Sequence, residues 1–424
     1  MKKFFVSIGL ILLLGLIFTA VKYNFHSTGE KTQNEVVFWT LQMSDFSEYI
    51  NGVIKEFEAQ NPDIKIKWID VPFSEGEKRT LASVLSDNPP DLINLNPDFS
   101  AILAQKGALY EIDENSTGQF VPQIIETLKY NGKLYSIPWY ATSAVTIYNK
   151  KLFNKTGLQV PETYTQMSNI AKQIKEKTNA YIWLPNISEN DTMLRILNKY
   201  GVNSAENINS TKSVEVFNFF KTLYINDLIP KESITQTHRE ALEKYMAENI
   251  ALFQAGANFL NMIKENAPST YTNTDVSVQL TGDLGQYDFS LMNFIIPLKA
   301  KHKQEALKFA LFLTNEKNQL ELAKLTNIIA VNKSSLQNDF YTKYDNSDLM
   351  AKARVISAKQ LKKIQPALKS ERNQKEINTL INSAVQEILL NKQKTPSVLD
   401  RVSKDWKLLN SGSRTRQKQA SQTS

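Results

Sequence analysis

The sequence predicts an α/β protein built in two lobes, and three observations carry the prediction. First, apolar runs of strand length alternate with helix-period runs in the N-terminal half. Val36-Val37-Phe38-Trp39 is followed by a helical pattern over 49–59. Ile64, Ile66 and Trp68 then alternate with Lys65 and Lys67, and Asp91-Leu92-Ile93-Asn94-Leu95 closes the series. Strand, helix, strand, helix, strand is the pattern of an open sheet covered by helices. Second, 133–153 holds two β-rich runs with Pro138 in the first and hydroxyl and aromatic side chains at 139–143. Proline has no backbone donor, so the strand is expected to break there and leave a joint, as suits a crossing between lobes. Third, 424 residues suffice for two lobes, each with its own core.

Each element follows from local signals. Met1-Lys2-Lys3 is a basic start, and 4–21 is uncharged and almost wholly apolar, so 1–34 reads as an export signal or an uncleaved anchor with a polar tether. Phe18-Thr19-Ala20 puts a ring where cleavage wants a small residue, which favours the anchor, with Lys2 and Lys3 inside. Tyr49, Ile50, Val53, Ile54 and Phe57 mark one helix face, ended by Asn61-Pro62. A short helix is expected at 80–85, and Asn131-Gly132 is a turn. Beyond the joint come helices at 163–177, 192–200, 213–224 and 241–248, and strands at 180–184, 250–253 and 275–280. The apolar run 290–297 should return the chain to the first lobe. Helices at 304–313 and 315–325, a turn or strand at 327–331, and helices at 349–361, 373–391 and 397–409 complete the body. The tail 410–424 is Ser, Gln, Lys and Arg with almost nothing to bury, and is expected not to order.

Composition excludes several functions. The net charge of +7 is spread along the chain and is not the clustered basic face of a nucleic-acid binder. Cysteine is absent, which excludes disulfides, thiol catalysis and Cys-ligated metals. His26, His238 and His302 are far apart, so no metal site and no cofactor are expected, and His238 and His302 read as solvated surface groups. No nucleophile elbow, Walker loop or dinucleotide fingerprint occurs. An enzyme is therefore not expected. A carboxylate pair for glycoside cleavage is the one catalytic reading that composition leaves open.

Ile137-Pro138, then Ile147-Tyr148-Asn149-Lys150-Lys151-Leu152-Phe153, resembles the hinge crossing of the extracellular solute-binding proteins of ABC importers, in particular the carbohydrate-binding (maltose-binding-protein-like, family 1) group. Other motifs follow in that family's order: Phe57 to Pro62 with Ile64-Lys65-Ile66, Pro90 to Ile93 with Leu103 to Leu109, Met246 with Gly256, and Ala306 to Leu313 with Glu316-Lys317. Residues 376–408, with Lys394-Thr395-Pro396, resemble its closing C-terminal helices. The resemblance implies a two-lobed periplasmic-binding-protein fold with a ligand cleft between the lobes and hinge crossings. It divides the chain into 1–34 as signal or anchor, 35–141 with 290–335 as the first lobe, 142–289 with 336–409 as the second, and 410–424 as tail. It implies a monomer outside the cytoplasm, in the periplasm or on the outer face of the cytoplasmic membrane, that captures a small solute and delivers it to a permease. A receptor signalling to a membrane sensor is the alternative.

Candidate ligand contacts come from strand ends and from the resemblance. In open sheets ligands lie beyond the carboxyl ends of strands, which selects Trp39, Gln42, Met43, Asn96 and Asp98. Asp98 falls where the carbohydrate binders hold a sugar-contacting Asp, and it could also cap the next helix. The joint adds Trp139, Tyr140 and Thr142, the second lobe adds Trp183 and Asn258, and the return crossing adds Met292 and Asn293. Each has a plainer reading as core, hinge packing or turn. Trp68 and Trp406 are assigned to cores. The sequence departs from the family pattern at Asn258, where Trp is frequent, at Thr142, which can be acidic, and at Leu41 and Met43. The acidic set around a sugar is thus expected to be thin.

Overall fold

The computed structural model describes residues 34–365 and 373–422, so the expected signal or anchor, Asn34 apart, lies outside the described residues. Among the described residues no helix is long and apolar enough to cross a membrane. The eleven strands among the described residues are numbered in chain order: β1 (Asn34–Leu41), β2 (Ile64–Val71), β3 (Leu92–Leu95), β4 (Lys129–Tyr130), β5 (Lys133–Leu134), β6 (Ser136–Thr142), β7 (Val145–Asn149), β8 (Leu252–Ala255), β9 (Thr274–Ser277), β10 (Ser290–Ile295) and β11 (Ile329–Ala330). Six form one sheet in the order β11-β6-β10-β3-β1-β2, and three form another in the order β8-β7-β9. In the large sheet β1 runs parallel to β2 and β3, while β10 runs antiparallel to β3 and β6. In the small sheet β7 is central and antiparallel to both neighbours.

Helices cover both faces of the large sheet because its strands are apolar on both sides. Phe38 and Leu92 pack with Phe57, Phe294 and Phe309 on one face, and Leu41, Ile93 and Leu95 pack with Phe99 and Leu103 on the other. A separate buried cluster surrounds the small sheet and includes Trp183, Phe217, Phe220, Phe253 and Trp406. The helix Pro97–Gln105 is capped by Asn96, whose side chain accepts from the Phe99 amide at 2.8 Å. Asp98 is not its cap. The helix Lys150–Thr156 ends at Gly157, where φ of 72° suits a residue without Cβ.

Among the described residues, three segments run between the sheets. β6 feeds β7 through Ser143 and Ala144, the segment 278–289 leads from β9 to β10, and the helix Leu349–Gln360 lies against β7, β9 and β11.

Several expectations change. Pro138 does not break its strand, because the irregularity is taken up as a bulge in β6, where Trp139 is the extra residue opposite Met292 and Asn293 of β10, so β6 runs on to Thr142. The joint is therefore only Ser143–Ala144. The expected strand at 180–184 is reduced to a single bridge between Tyr181 and Ile250 before Pro185 turns the chain. The short helix expected at 80–85 begins earlier, as Phe73–Val84. The core of the large sheet extends past the expected lobe boundary at 335, taking in Tyr341, Ala358 and Leu361. The last helix, Thr395–Gln422, runs through most of the tail expected not to order. Once a helix is nucleated on a packed segment, each added residue needs only local hydrogen bonds, and Arg, Gln, Lys and Ala propagate it well.

Candidate ligand cleft between the two sheets

Strand register brings one end of each sheet to the same place. Ser290 at the start of β10 pairs with Thr142 at the end of β6, and Asn293 pairs with Leu95 at the end of β3. Val145 at the start of β7 pairs with Ala255 at the end of β8, and Thr146 pairs with Ser277 at the end of β9. The residues just beyond these ends, Asn96 to Asp98, Thr142 to Ala144, Gly256, Asn258, Gln279 and 288–290, therefore converge. They line two adjoining cavities of about 540 and 160 Å³, which share Arg195, Asp288, Phe289 and Ser290. The larger falls within the roughly 300–1,000 Å³ usual for small-molecule sites.

The second lobe supplies most of the wall. Tyr164 and Trp183 line the cavity with ring centroids 5.7 Å apart, though only a small part of either ring is accessible. Phe289 is the more open ring and touches both cavities. Asp191, Arg195 and Lys199 recur every four residues around the helix Thr192–Asn198 and so share one face. Arg195 Nε donates to Asp191 Oδ2 at 2.7 Å. Burial opposes the guanidinium charge, but Asp191, Asp288 and Asp98 together hold its pKa above the ordinary value. Lys199 is 1% exposed and donates to Gln279 Oε1 and the Leu280 carbonyl, both at 2.8 Å, with Asp288 Oδ2 at 3.1 Å. Burial lowers the Lys199 pKa, against the pull of Asp288. Gly282 lets its loop press onto this helix end, since a Cβ there would lie 2.6 Å from the Lys199 carbonyl oxygen.

The first-lobe wall is small: Asn96, Pro97, Asp98 and Thr127, with Ser290 and Leu291 of β10. No hydrogen bond to the Asp98 carboxylate occurs among the described residues. The surrounding protein raises its pKa, Arg195 pulls it down, and Asp191 and Glu77 push it further up. A carboxylate held across the cleft from a guanidinium can accept two donors from a solute between them. No group of three or more His, Asp and Glu side chains able to hold a metal occurs among the described residues.

Of the residues selected from sequence, Asn96, Asp98, Thr142, Trp183 and Asn258 line these cavities. Asn96 is partly committed, capping its helix and donating to Glu77 at 3.4 Å. Trp139 is not in the cleft. It is fully buried against Phe294 at 4.7 Å and Tyr140 at 5.0 Å, because the strand continues through Pro138 and its ring enters the helix-covered layer. Tyr140 packs on the same core and Met43 is buried in it. Asn293 is fully buried, donating to Ser100 Oγ at 2.8 Å, and Met292 packs on the opposite layer. Trp39 packs on that layer under Arg79, at 5.3 Å. Gln42 is exposed with φ of 51°, in a loop held by Asp70, which takes the Met43 and Ser44 amides. None of these seven is among the residues lining the two cavities.

Sequence reasoning missed Asp191, Arg195, Lys199, Asp288, Phe289 and Tyr164, so the acidic set is larger than expected. It also misplaced His238, which lies half-buried on the cavity wall with its ring 5.0 Å from Phe259. Burial lowers its pKa, against Glu189. One signal was available: charges at 191, 195 and 199 in a helix otherwise filled by Met193, Leu194, Ile196 and Leu197.

Two sheets, three passages between them and a polar cleft where they meet define a two-lobed binding protein. The profile of the bacterial extracellular solute-binding proteins matches residues 52–349, and the chain belongs to that family. A periplasmic-binding protein from Synechococcus sp. MITs9220 superposes with a TM-score of 0.77 at 26% identity, covering 89% of this chain and 99% of that one. The sugar-binding protein MalE of Xanthomonas citri shares the fold, with a TM-score of 0.75 at 18% identity, covering 91% and 100%. The multiple sugar-binding protein of Streptococcus mutans is 25% identical over 343 residues, 74% of this chain and 79% of that protein. The diacetylchitobiose binding protein DasA of Streptomyces coelicolor is 25% identical over 327 residues, 71% and 74% of the two chains.

Proposed function

We infer that this protein is the substrate-binding component of an ABC importer and that its cleft captures a carbohydrate. The observation that carries the reading is the wall itself. Rings at Tyr164, Trp183 and Phe289 lie beside Asp98, Asp191, Arg195 and Asp288, with groups from both lobes. Rings suit the C–H faces of a sugar, and carboxylates and guanidinium suit its hydroxyls. The relatives named for sugars support the same class. Ligand touching both lobes favours the closed arrangement by differential affinity, and the closed form is presented to the permease. The lobes are 35–141 with 290–335 and 142–289 with 336–409, except that 336–361 pack partly with the first. The apolar run 4–21 exports the chain and retains it at the outer face of the cytoplasmic membrane as a monomer. Bound sugar is released unchanged.

A thermal-shift screen tests this with maltotriose, diacetylchitobiose and mannitol against amino acids and polyamines. A sugar at 100 times its Kd adds about 2.7 kcal/mol, a visible rise in Tm. A rise with one carbohydrate and no product is the expected result. A rise only with a non-carbohydrate discards the sugar and keeps the receptor.

A further inference from the structure

We propose that Lys199 is a positioning residue that fixes Asp288 in the cleft wall and locks the second lobe to all three passages between the sheets. The inference rests on reading the cleft as the ligand site, but its first test needs no ligand.

The observations form one closed network. Lys199 ends the helix that carries Asp191 and Arg195. Its ammonium is spent on Gln279 Oε1, the Leu280 carbonyl and Asp288 Oδ2, all on the second passage. Gln279 also accepts the Asp288 amide at 2.8 Å and donates to the Asp288 carbonyl at 3.3 Å. The first passage joins through Ser143 Oγ, which donates to the Asp288 carbonyl at 3.1 Å. The third joins through Gln360, whose Nε2 donates to Ser143 Oγ and to the Ala144 carbonyl, both at 2.9 Å, and whose Oε1 accepts the Gln279 amide at 2.7 Å. Five side chains thus connect three chain segments and one helix.

Asp288 has two faces. Oδ2 meets Lys199, while the residue lines both cavities and is partly exposed. A solute donor taken by Asp288 would act directly on the second passage. Without Lys199 the carboxylate loses its buried counter-charge and its fixed direction. The charge on Lys199 is also confined by the fold, since breaking one side of a buried pair strands the other.

The absence of cysteine permits two unique spin labels, one in each lobe, at Lys55→Cys and Lys172→Cys, both exposed helix positions. Electron–electron distances are measured in the unliganded full chain, then affinities for maltotriose, diacetylchitobiose and mannitol. Lys199→Met should broaden the interlobe distribution, and Ser143→Ala should do so to a smaller degree. For a sugar that wild type binds, Lys199→Met should weaken affinity about ten-fold, the worth of a charged hydrogen bond. The double variant with Asp288→Asn should lose no more than Asp288→Asn alone, because Lys199 acts through Asp288. If Lys199→Met does not fold, Ser143→Ala carries the distance test. Unchanged distances in both variants, or additive losses, overturn the proposal. Wild type that binds none of the sugars overturns the carbohydrate reading instead, and the distances still decide this one.

Discussion

The two walls of the cleft are built on different terms. On the second-lobe side the polar groups already have partners: Arg195 holds Asp191, Lys199 holds Asp288 and Gln279, and the rings of Tyr164 and Trp183 are packed in a core. On the first-lobe side Asp98 stands with a raised pKa and no hydrogen bond among the described residues. One wall is pre-organised and the other offers a single carboxylate awaiting donors. Preorganised groups lose little on binding, so the second lobe should hold the solute and Asp98 should join when the lobes close.

The largest expected effect tests where the first-lobe wall ends. Trp139→Ala should cost about 3–5 kcal/mol of stability, as for other buried large-to-small changes, and leave affinity of the folded protein unchanged. Chemical denaturation with titration separates the two, and a loss of affinity at constant stability would return Trp139 to the cleft. Next, Arg195→Met removes the cation that faces three carboxylates. It should weaken sugar binding by about 1.5–3 kcal/mol by calorimetry, the range for hydrogen bonds to charged groups. Wild-type affinity in that variant would erase the contrast between the walls.

Asp98→Asn should cost about 1–2 kcal/mol of binding, since a neutral amide accepts less strongly. Stability should move the other way. A carboxyl raised on folding favours the folded state as pH falls through its titration, and disfavours it above. Asp98→Asn should therefore raise Tm at pH 7, with the gain shrinking on acidification. The smallest effect is on the wild-type pH profile. Sugar donors bind the ionised form, so affinity should fall several-fold as acid protonates Asp98 ahead of ordinary carboxylates. The profile should flatten in Asp98→Asn, and a slope retained there would assign the titration to another group.

The legibility of the sequence follows the same division. β1 to β3 and their helices were readable because apolar alternation and Asn61-Pro62 are local signals. Asp98 was readable because a strand end predicts its place. Arg195, Lys199 and Asp288 were not selected, because among 43 acids and 50 bases a charged stripe on a helix usually means a solvated face. What makes them a wall is the return of 278–290 against helix Thr192–Asn198, a contact between segments 80 or more residues apart. Trp139 was misassigned for a related reason: it is the extra residue of a bulge in β6 that forms against β10, a strand from a distant part of the chain.

Small-angle scattering of the full chain with and without the sugar that raises Tm tests the central claim most directly. Closure around a solute held by both walls predicts a smaller radius of gyration in wild type and, at the same sugar concentration, less compaction in Arg195→Met. Tight binding with no compaction in wild type would contradict the account, because the solute would then sit outside the cleft between the lobes.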